Sequence, residues 1–122
     1  MASNVALNAI LILIVDDNSG FRVMLCKFLQ AHGFRTAECA SGKEAIGAYR
    51  QLHPDVVLMD LRMEPMNGLA ATKRIVELDT AAKVVILTSY DDPSLREAAY
   101  KAGALGYSSK EDLAGLLALL AF

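Results

Sequence analysis

The chain has 122 residues, of which 54% are hydrophobic and 21% are charged, and its formal net charge is −2. This length and composition predict one compact domain, residues 1–122, rather than a disordered chain. The small negative charge gives no electrostatic basis for direct nucleic-acid binding by this chain, and the apolar runs are too short to span a membrane.

An apolar strand and an amphipathic helix are predicted first. The segment Ala9–Val15 is apolar throughout, as a parallel strand covered on both faces should be. Asn18 or Ser19 can cap the helix that follows, and Gly33 is suited to end it. The apolar residues of this helix recur at the spacing of a single buried face and are Phe21, Met24, Leu25, Phe28 and Leu29.

Strands and helices then alternate along the rest of the chain. The predicted strands are Phe34–Cys39, Val56–Met59, a segment that ends at Thr88, and Ala104–Ser108. The predicted helices run from the capping box Ser41-Gly42-Lys43-Glu44 to about Leu52, from Leu69 to Leu78, from the cap Asp92-Pro93 to Gly103, and from Glu111 onward. Five such βα units predict an α/β fold, a doubly wound, five-stranded parallel sheet with five helices on its two faces.

Polar side chains directly follow several of these strands. Asp16 and Asp17 come after the first strand, Asp60 after the third, Thr88 closes the fourth, and Lys110 follows the fifth. Because the carboxyl ends of parallel strands meet at one edge of the sheet, we expect these side chains to share one crevice. Three carboxylates in one crevice are costly unless a cation binds among them or some are protonated. Oxygen ligands without His or Cys favour Mg²⁺.

Each of these residues has an ordinary interpretation when it is considered alone. An isolated Asp16-Asp17 pair is most simply a helix cap and a solvated turn acid, Thr88 a strand-end hydroxyl, and Lys110 a surface lysine. Their conjunction favours a site for a cation and a phosphoryl group. A carboxylate beside Mg²⁺ is a nucleophile toward phosphorus, and Lys110 and Thr88 would bind oxygens of the transferring group.

Five stretches of the chain form motifs in a fixed order. They are Ile14-Val15-Asp16-Asp17-Asn18, the segment from Asp55 to Met63, Met66-Asn67-Gly68, the segment from Val84 to Tyr90, and the segment from Gly103 to Tyr107 before Lys110. Any one of them would be weak evidence, but five in register are specific. The set covers essentially the whole chain and resembles the receiver domain of two-component response regulators.

The resemblance implies a flavodoxin-like receiver fold and a role for each acidic residue. Asp60 would be the phosphoacceptor, receiving a phosphoryl group from a sensor histidine kinase. Asp17 would bind Mg²⁺ directly and Asp16 mainly through water, while Asp60 and the backbone carbonyl of Arg62 would complete the metal ligands. Such a domain catalyses its own phosphorylation and dephosphorylation but is not an enzyme that acts on a separate substrate.

The resemblance also implies a switch. Thr88 and Lys110 would bind phosphoryl oxygens, and Tyr107 would be the aromatic residue that turns inward when the Thr88 hydroxyl moves toward the phosphoryl group. Considered alone, Tyr107 is a half-buried strand tyrosine. Arg62 and Tyr90 match variable positions that tune dephosphorylation in this family.

Two departures from the family pattern stand beside these matches. The family commonly has Pro four residues after the acceptor, where this chain has Glu64, followed by Pro65. Glu64 is either a solvated loop acid or a source of extra negative charge near Asp60. The family also commonly has Pro after its lysine, often with a cis bond. Here Glu111 follows, and a cis bond before a non-proline residue costs about 3 kcal/mol, so we do not expect one.

Two other functions remain open on these residues. A pseudo-receiver that accepts no phosphate and acts as a docking module is favoured only by the Glu64-Pro65 departure. An Mg²⁺-dependent phosphatase resembling the haloacid dehalogenase family would carry an Asp-x-Asp motif after its first strand. Here that strand ends in Asp16-Asp17-Asn18, and no cap-domain insertion is present.

The last helix indicates a second buried surface. Leu113, Leu116, Leu117 and Leu120 can face the core, which leaves Leu119 and Phe122 off the inward stripe. One interpretation is a homodimer through the fourth helix, fifth strand and fifth helix. The alternative is that the chain is cut from a longer protein whose output domain lies outside this chain. The motifs look most like receivers attached to LuxR-type helix-turn-helix domains, which would make the output transcriptional.

Two further features indicate the compartment. Residues 1–8 lack the basic region of a signal peptide. Cys26 and Cys39 have no metal-binding or redox spacing and lie in apolar segments, so we interpret them as reduced core thiols of a cytoplasmic protein.

Overall fold

One sheet of five parallel strands organises the structure, a computed structural model that describes residues 9–90 and 92–121. The strands are β1 (Leu11–Val15), β2 (Arg35–Cys39), β3 (Val56–Met59), β4 (Val84–Thr88) and β5 (Gly106–Ser109). The helices are α1 (Ser19–Ala31), α2 (Gly42–Leu52), α3 (Gly68–Leu78), α4 (Pro93–Lys101) and α5 (Leu113–Leu119). The strand order is β2-β1-β3-β4-β5, which confirms the predicted doubly wound, flavodoxin-like fold.

Helices cover both faces of the sheet because successive strand residues point to opposite sides. In β1, Ile12 and Ile14 pack into one core cluster with residues of α1 and α5. The intervening Leu13 and Val15 pack into the other cluster with residues of α2, α3 and α4. Both sets are almost fully buried, which explains why this strand is apolar without alternation.

The strand order reverses between β1 and β3. The chain leaves β1 toward β2 on one side and returns to β3 on the other, so the loops after β1 and β3 diverge and leave a crevice at the carboxyl edge. Backbone hydrogen bonds continue the sheet to this edge: Asp60 N donates to Val15 O at 2.8 Å, and Asp16 N donates to Cys39 O at 3.1 Å. The backbone N–H of the first residue after each of these strands is therefore still bonded to the neighbouring strand.

Three strands begin later than predicted. β2 begins at Arg35 rather than at Phe34. β1 begins at Leu11 rather than at Ala9. β5 begins at Gly106 rather than at Ala104, because the Ala104 N–H donates to the Ala99 carbonyl oxygen, 3.0 Å away, at the end of α4. The predicted fifth strand therefore included the turn that closes the preceding helix.

Side-chain caps set the first residues of the helices. Asn18, and not Ser19, caps α1 by accepting a backbone N–H of the first turn at 2.9 Å. α5 begins at Leu113 rather than at Glu111, because Asp112 accepts a first-turn N–H at 2.8 Å. A cap residue has non-helical backbone, so an acidic residue that caps a helix also delays its start.

The buried face of α1 differs from the predicted stripe at one position. Leu25 and Leu29 are fully buried, as predicted, but Met24 is 42% exposed and Cys26 takes the inward position at 7%. The Cys26 thiol lies beside the Thr36 side chain of β2. Because α1 packs over this edge of the sheet, its inner face is rotated toward β2 and Met24 turns to solvent.

Both cysteines lie in the core, as predicted. Cys26 and Cys39 are each 7% exposed. Burial is the main cause that raises the pKa of both thiols, that of Cys39 to about 11. Both side chains are therefore protonated at neutral pH and behave as small apolar groups.

The leucines of α5 follow the predicted division. Leu116 and Leu120 are buried, and Leu113 and Leu117 pack against the same cluster while half-buried. Leu119 lies off this stripe and is 37% exposed. The inner face of α5 therefore packs against the core of this chain, whereas Leu119 on its outer face is exposed to solvent.

Two predictions fall on residues outside the described part of the chain. These are the predicted absence of a signal peptide at residues 1–8 and the position of Phe122 off the inward stripe. Within the described ranges, no helix has the length and apolar character needed to cross a bilayer.

Thr72 of α3 tests how much a buried hydroxyl group without a hydrogen bond costs in stability. Its side chain is fully buried, and within the described residues its hydroxyl oxygen has no hydrogen-bond partner. Replacing it by the isosteric Val removes an unsatisfied polar group, so Thr72→Val should raise the free energy of unfolding by about 1 kcal/mol in urea denaturation. Thr72→Ser keeps the hydroxyl and removes the methyl group, so it should lower this free energy; a loss for both variants would contradict the assignment.

Candidate functional site

Three carboxylates lie together at the crevice between β1 and β3. Asp16 and Asp60 are 2% and 6% exposed, whereas Asp17 is open to solvent. One carboxylate oxygen of each residue lies within 4.8 Å of the others. The predicted convergence of these three side chains is therefore observed, and their depth differs: two are part of the protein interior and one faces outward.

Lys110 reaches into the same crevice from the end of β5. Its Nζ lies 2.7 Å from Oδ2 of Asp16 and 3.3 Å from Oδ1 of Asp60, and its side chain is 16% exposed. The Phe21 ring of α1 lies beside the ammonium group, with 4.6 Å from Nζ to the ring centroid. The Lys110 backbone N–H donates to Thr88 O at 2.8 Å, which fixes the residue at the sheet edge.

The electrostatics of the crevice favour binding of a further positive charge. Burial, followed by the negative charge of Asp16, raises the pKa of Asp60 to about 6, although Lys110 opposes this shift. Burial lowers the pKa of Lys110, but its hydrogen bonds and charge interactions with Asp16 and Asp60 outweigh burial and raise it overall. Lys110 therefore stays charged, and the single ammonium group only partly offsets three carboxylates.

The donor set fits a hard divalent cation. The side chains that converge supply carboxylate oxygens, without His or Cys, which matches the preference of Mg²⁺. Arg62, the predicted source of a carbonyl ligand, lies in the loop after Asp60. It lines a cleft of about 510 Å³ together with Asp17 and Glu64. The residues present could thus hold a metal ion beside Asp60.

A second set of contacts connects Thr88 with Tyr107 through the backbone of Tyr90. Thr88 is 1% exposed, and its Oγ1 accepts a hydrogen bond from Tyr90 N at 3.2 Å. The hydroxyl group of Tyr107 donates to Tyr90 O at 2.5 Å, and the Tyr107 ring points inward, 7% exposed. The Arg96 guanidinium carbon lies 5.0 Å from the Tyr107 ring centroid, and that of Arg62 lies 4.0 Å from the Tyr90 ring centroid.

The two departures from the family pattern, Glu64 and Glu111, lie close to the site. Glu64 is exposed in the loop between β3 and α3. The peptide bond from Lys110 to Glu111 is not among the cis bonds of the described residues, as expected for a non-proline residue.

Arg22 was missed by sequence reasoning. Its Nη1 donates to the backbone carbonyl of Asp16 at 2.7 Å, while its Nε pairs with Glu38 Oε1 at 3.1 Å. The amphipathic pattern of α1 marks Arg22 only as a polar residue next to Phe21, on the boundary of the buried face. A contact with a backbone carbonyl leaves no trace in the identity of the residue that accepts it, so no pattern could have identified it.

Comparisons with known proteins identify one family. The family model described as the response regulator receiver domain matches residues 12–121. The chemotaxis protein CheY of Thermotoga maritima is 37% identical over 100 residues, which cover 81% of this chain and 83% of that protein. The transcriptional regulatory protein LiaR of Bacillus subtilis is 37% identical over 109 residues, covering 88% of this chain and 52% of LiaR.

A solved structure leads to the same family. The LuxR-family two-component response regulator from Aurantimonas sp. has a TM-score of 0.86 and 30% sequence identity, covering 93% of this chain and 86% of that chain. The family-model match spans most of the chain, and this solved structure has a similar fold. The chain therefore belongs to the response regulator receiver domain family of two-component signal transduction.

Proposed function

We propose that residues 1–122 form a single receiver domain in which Asp60 accepts a phosphoryl group from a sensor histidine kinase, with Mg²⁺ as cofactor. The observation that carries the proposal is the position of the Asp60 carboxylate. It is buried at the end of β3, lies 3.3 Å from Lys110 Nζ, and has an oxygen within 4.8 Å of oxygens of Asp16 and Asp17. A nucleophile, a cation site and a fixed ammonium group are what phosphoryl transfer to a carboxylate requires.

The residues of the chain take separate parts in the transfer. An oxygen of Asp60 forms the new bond to phosphorus as the bond from phosphorus to the kinase histidine breaks, and the histidine nitrogen leaves with the bonding electrons. Asp16, Asp17 and the Arg62 carbonyl would hold Mg²⁺ together with Asp60, and the metal would neutralise phosphoryl and carboxylate oxygens. Lys110 would bind a second phosphoryl oxygen.

The switch would run from Thr88 to the outer surface. When the Thr88 hydroxyl turns toward a phosphoryl oxygen, it gives up the hydrogen bond that it accepts from Tyr90 N. Tyr90 O is the acceptor for the Tyr107 hydroxyl, so the loop after β4 joins the phosphoryl site to the position of Tyr107. The face formed by α4, β5 and α5 would change with it.

The similar proteins support a proposal for what the face of α4, β5 and α5 controls. LiaR is named a transcriptional regulatory protein, and the Aurantimonas structure is a LuxR-family regulator, which supports a transcriptional output domain outside this chain. The exposed Leu119 supports a homodimer through α4, β5 and α5. We propose a cytoplasmic location, where the histidine kinase would phosphorylate the domain.

One observation favours a second function, that of a docking module that accepts no phosphate. Glu64 occupies the position where the family commonly has Pro, and it lines the same cleft as Asp17. Added negative charge there would repel a phosphoryl donor. The complete set of Asp16, Asp17, Asp60 and Lys110 in one crevice supports phosphorylation instead.

The proposal is tested by intact mass after incubation with acetyl phosphate and Mg²⁺. The parent chain should gain one phosphoryl group, and Asp60→Asn should gain none because the nucleophilic oxygen is lost. Asp55→Asn is a matched control, since Asp55 lies at the other end of the same strand, where Oδ2 accepts from Leu11 N at 2.8 Å. This control should gain the phosphoryl group as the parent does. Folded parent protein that binds Mg²⁺ but gains no mass would establish the docking module instead.

A further inference from the structure

Arg22 of α1 lies next to the turn that carries Asp16 and Asp17, and it is partly buried. Its side chain is 18% exposed, and its guanidinium group bridges two elements. Nη1 donates to the backbone carbonyl of Asp16 at 2.7 Å, and Nε pairs with Glu38 of β2 at 3.1 Å. We propose that Arg22 is a positioning residue that holds the turn after β1 in the conformation that binds Mg²⁺. This inference rests on the proposed metal site.

Other hydrogen bonds hold the two ends of the turn after β1, and Asn18 also accepts from Phe21 N and Arg22 N as the cap of α1. Asp16 N donates to Cys39 O at 3.1 Å, and Asn18 N donates to Oδ1 of Asp16 at 2.9 Å. Asp17 lies between these two points and is exposed. The direction of the peptide that joins Asp16 to Asp17 is set by the hydrogen bond from Arg22 to the Asp16 carbonyl. Loss of this bond would free the peptide to rotate, and with it the carboxylate of Asp17.

The planar guanidinium group suits this position. An arginine offers donors in two fixed directions, one used here toward β1 and one toward β2, whereas the ammonium group of a lysine is a point charge. The bond to Glu38 orients the fork so that Nη1 faces the Asp16 carbonyl. Ligand orientation by such an outer partner commonly changes metal affinity by about 10–100-fold when the partner is removed.

A positioning role and a purely electrostatic role of Arg22 predict opposite changes in the Kd for Mg²⁺ when the residue is replaced. The Arg22 guanidinium group bonds to the Asp16 carbonyl, and a positive charge there repels a metal ion, so removal of the Arg22 charge alone should tighten Mg²⁺ binding. If Arg22 acts by positioning, its removal should weaken Mg²⁺ binding despite that gain. The sign of the change in Kd therefore separates the two roles. A purely structural role would lower the free energy of unfolding and leave the Kd of the folded protein unchanged.

The experiment is isothermal titration of the unphosphorylated chain with Mg²⁺. Arg22→Gln should raise Kd about 10-fold. Arg22→Lys keeps the charge but not the fork, and it should also raise Kd. Arg35→Gln is the matched control, because Arg35 Nε donates to the Ala9 carbonyl at 3.2 Å on the same sheet, at the edge opposite the crevice. This control should leave Kd unchanged.

Each outcome of the titration either supports or overturns the positioning role of Arg22. An unchanged or lower Kd in folded Arg22→Gln would overturn it, even where the parent chain binds Mg²⁺ and is phosphorylated normally. Equal increases in Arg22→Gln and Arg35→Gln would also overturn it, since the effect would then not be specific to the hydrogen bond with the Asp16 carbonyl. If Arg22→Gln does not fold, Arg22→Lys decides alone: it keeps the charge and should still raise Kd, and no change would overturn the inference. A parent chain that binds no Mg²⁺ overturns the proposed metal site itself.

Discussion

Asp60→Asn should stabilise the metal-free protein at pH 7.5 by about 3 kcal/mol, and this gain should vanish near pH 4. The reason is the cost of holding an ionised carboxylate in a buried site. Burial and the charge of Asp16 raise the pKa of Asp60 to about 6 despite the opposing effect of Lys110. Asparagine has the shape of the protonated acid and no charge, so it removes that cost.

The sign of the pH dependence follows from the two pKa values. In the unfolded chain an aspartate titrates near its ordinary pKa of about 3.9, below its value in the folded state. Below about pH 4 the carboxyl group is protonated in both states and contributes nothing. Between the two pKa values the folded state binds more protons, so the free energy of unfolding falls as pH rises. Above pH 6 the full cost is present.

Urea denaturation at pH 4 and pH 7.5, with a chelator present, measures this difference. Asp55→Asn changes the same residue type at the exposed end of β3 and should not stabilise the protein at either pH. Addition of Mg²⁺ should then stabilise the parent chain and have a much smaller effect on Asp60→Asn, because binding to the folded state adds to stability. An equal gain for Asp60→Asn at both pH values would show that charge burial is not its cause.

The sequence is sufficient to predict the crevice because strand ends are marked by abrupt changes of polarity. The runs before Asp16, Asp60 and Thr88 are apolar on both faces, and each stops at a polar residue. In a parallel sheet all such ends lie at one edge, so chain order alone brings these residues together. The central strands can be identified from their own apolar residues, without reference to neighbouring elements.

Predictions were less accurate where a backbone group decides the structure. The fifth strand was placed too early because Ala104 N bonds to Ala99 O, and the last helix was placed too early because Asp112 acts as its cap. Asp112 is a capping residue type that the sequence itself offers, so only the contact of Ala104 is invisible to a pattern of residue types. The contacts of Arg22 with Asp16 O and of Tyr107 with Tyr90 O belong to the same class.

Met24 shows a second limit of predicting the buried face of a helix from sequence. The helical period fixes which residues share a face, but Met24 and Cys26 lie on opposite sides of Leu25, and either can border the buried face. The choice depends on how far α1 leans toward β2, which is set by packing between elements. The helical spacing from Phe21 favours Met24, whereas the smaller Cys26 fits the close approach to Thr36.

Gly68→Ala should destabilise the protein by about 3 kcal/mol and slow phosphorylation of Asp60. Gly68 is the first residue of α3, and its N–H donates to Leu61 O at 2.9 Å, which closes the loop that follows the acceptor. A Cβ atom on Gly68 would overlap the Asp60 carbonyl oxygen and would lie 3.0 Å from Leu61 Cα. These are backbone atoms, so the strain can be relieved only if the loop moves away from the helix.

A glycine inside a helix provides the matched control for this variant. Gly47 lies in the middle of α2, and a Cβ atom there would meet no described atom within 4 Å. Gly47→Ala should therefore stabilise the protein by about 1 kcal/mol, the usual difference in helix propensity, and should leave phosphorylation unchanged. Urea denaturation and intact mass over time measure both effects. If Gly68→Ala is as stable as the parent and is phosphorylated at the same rate, close packing of α3 on the acceptor strand is not what positions Asp60.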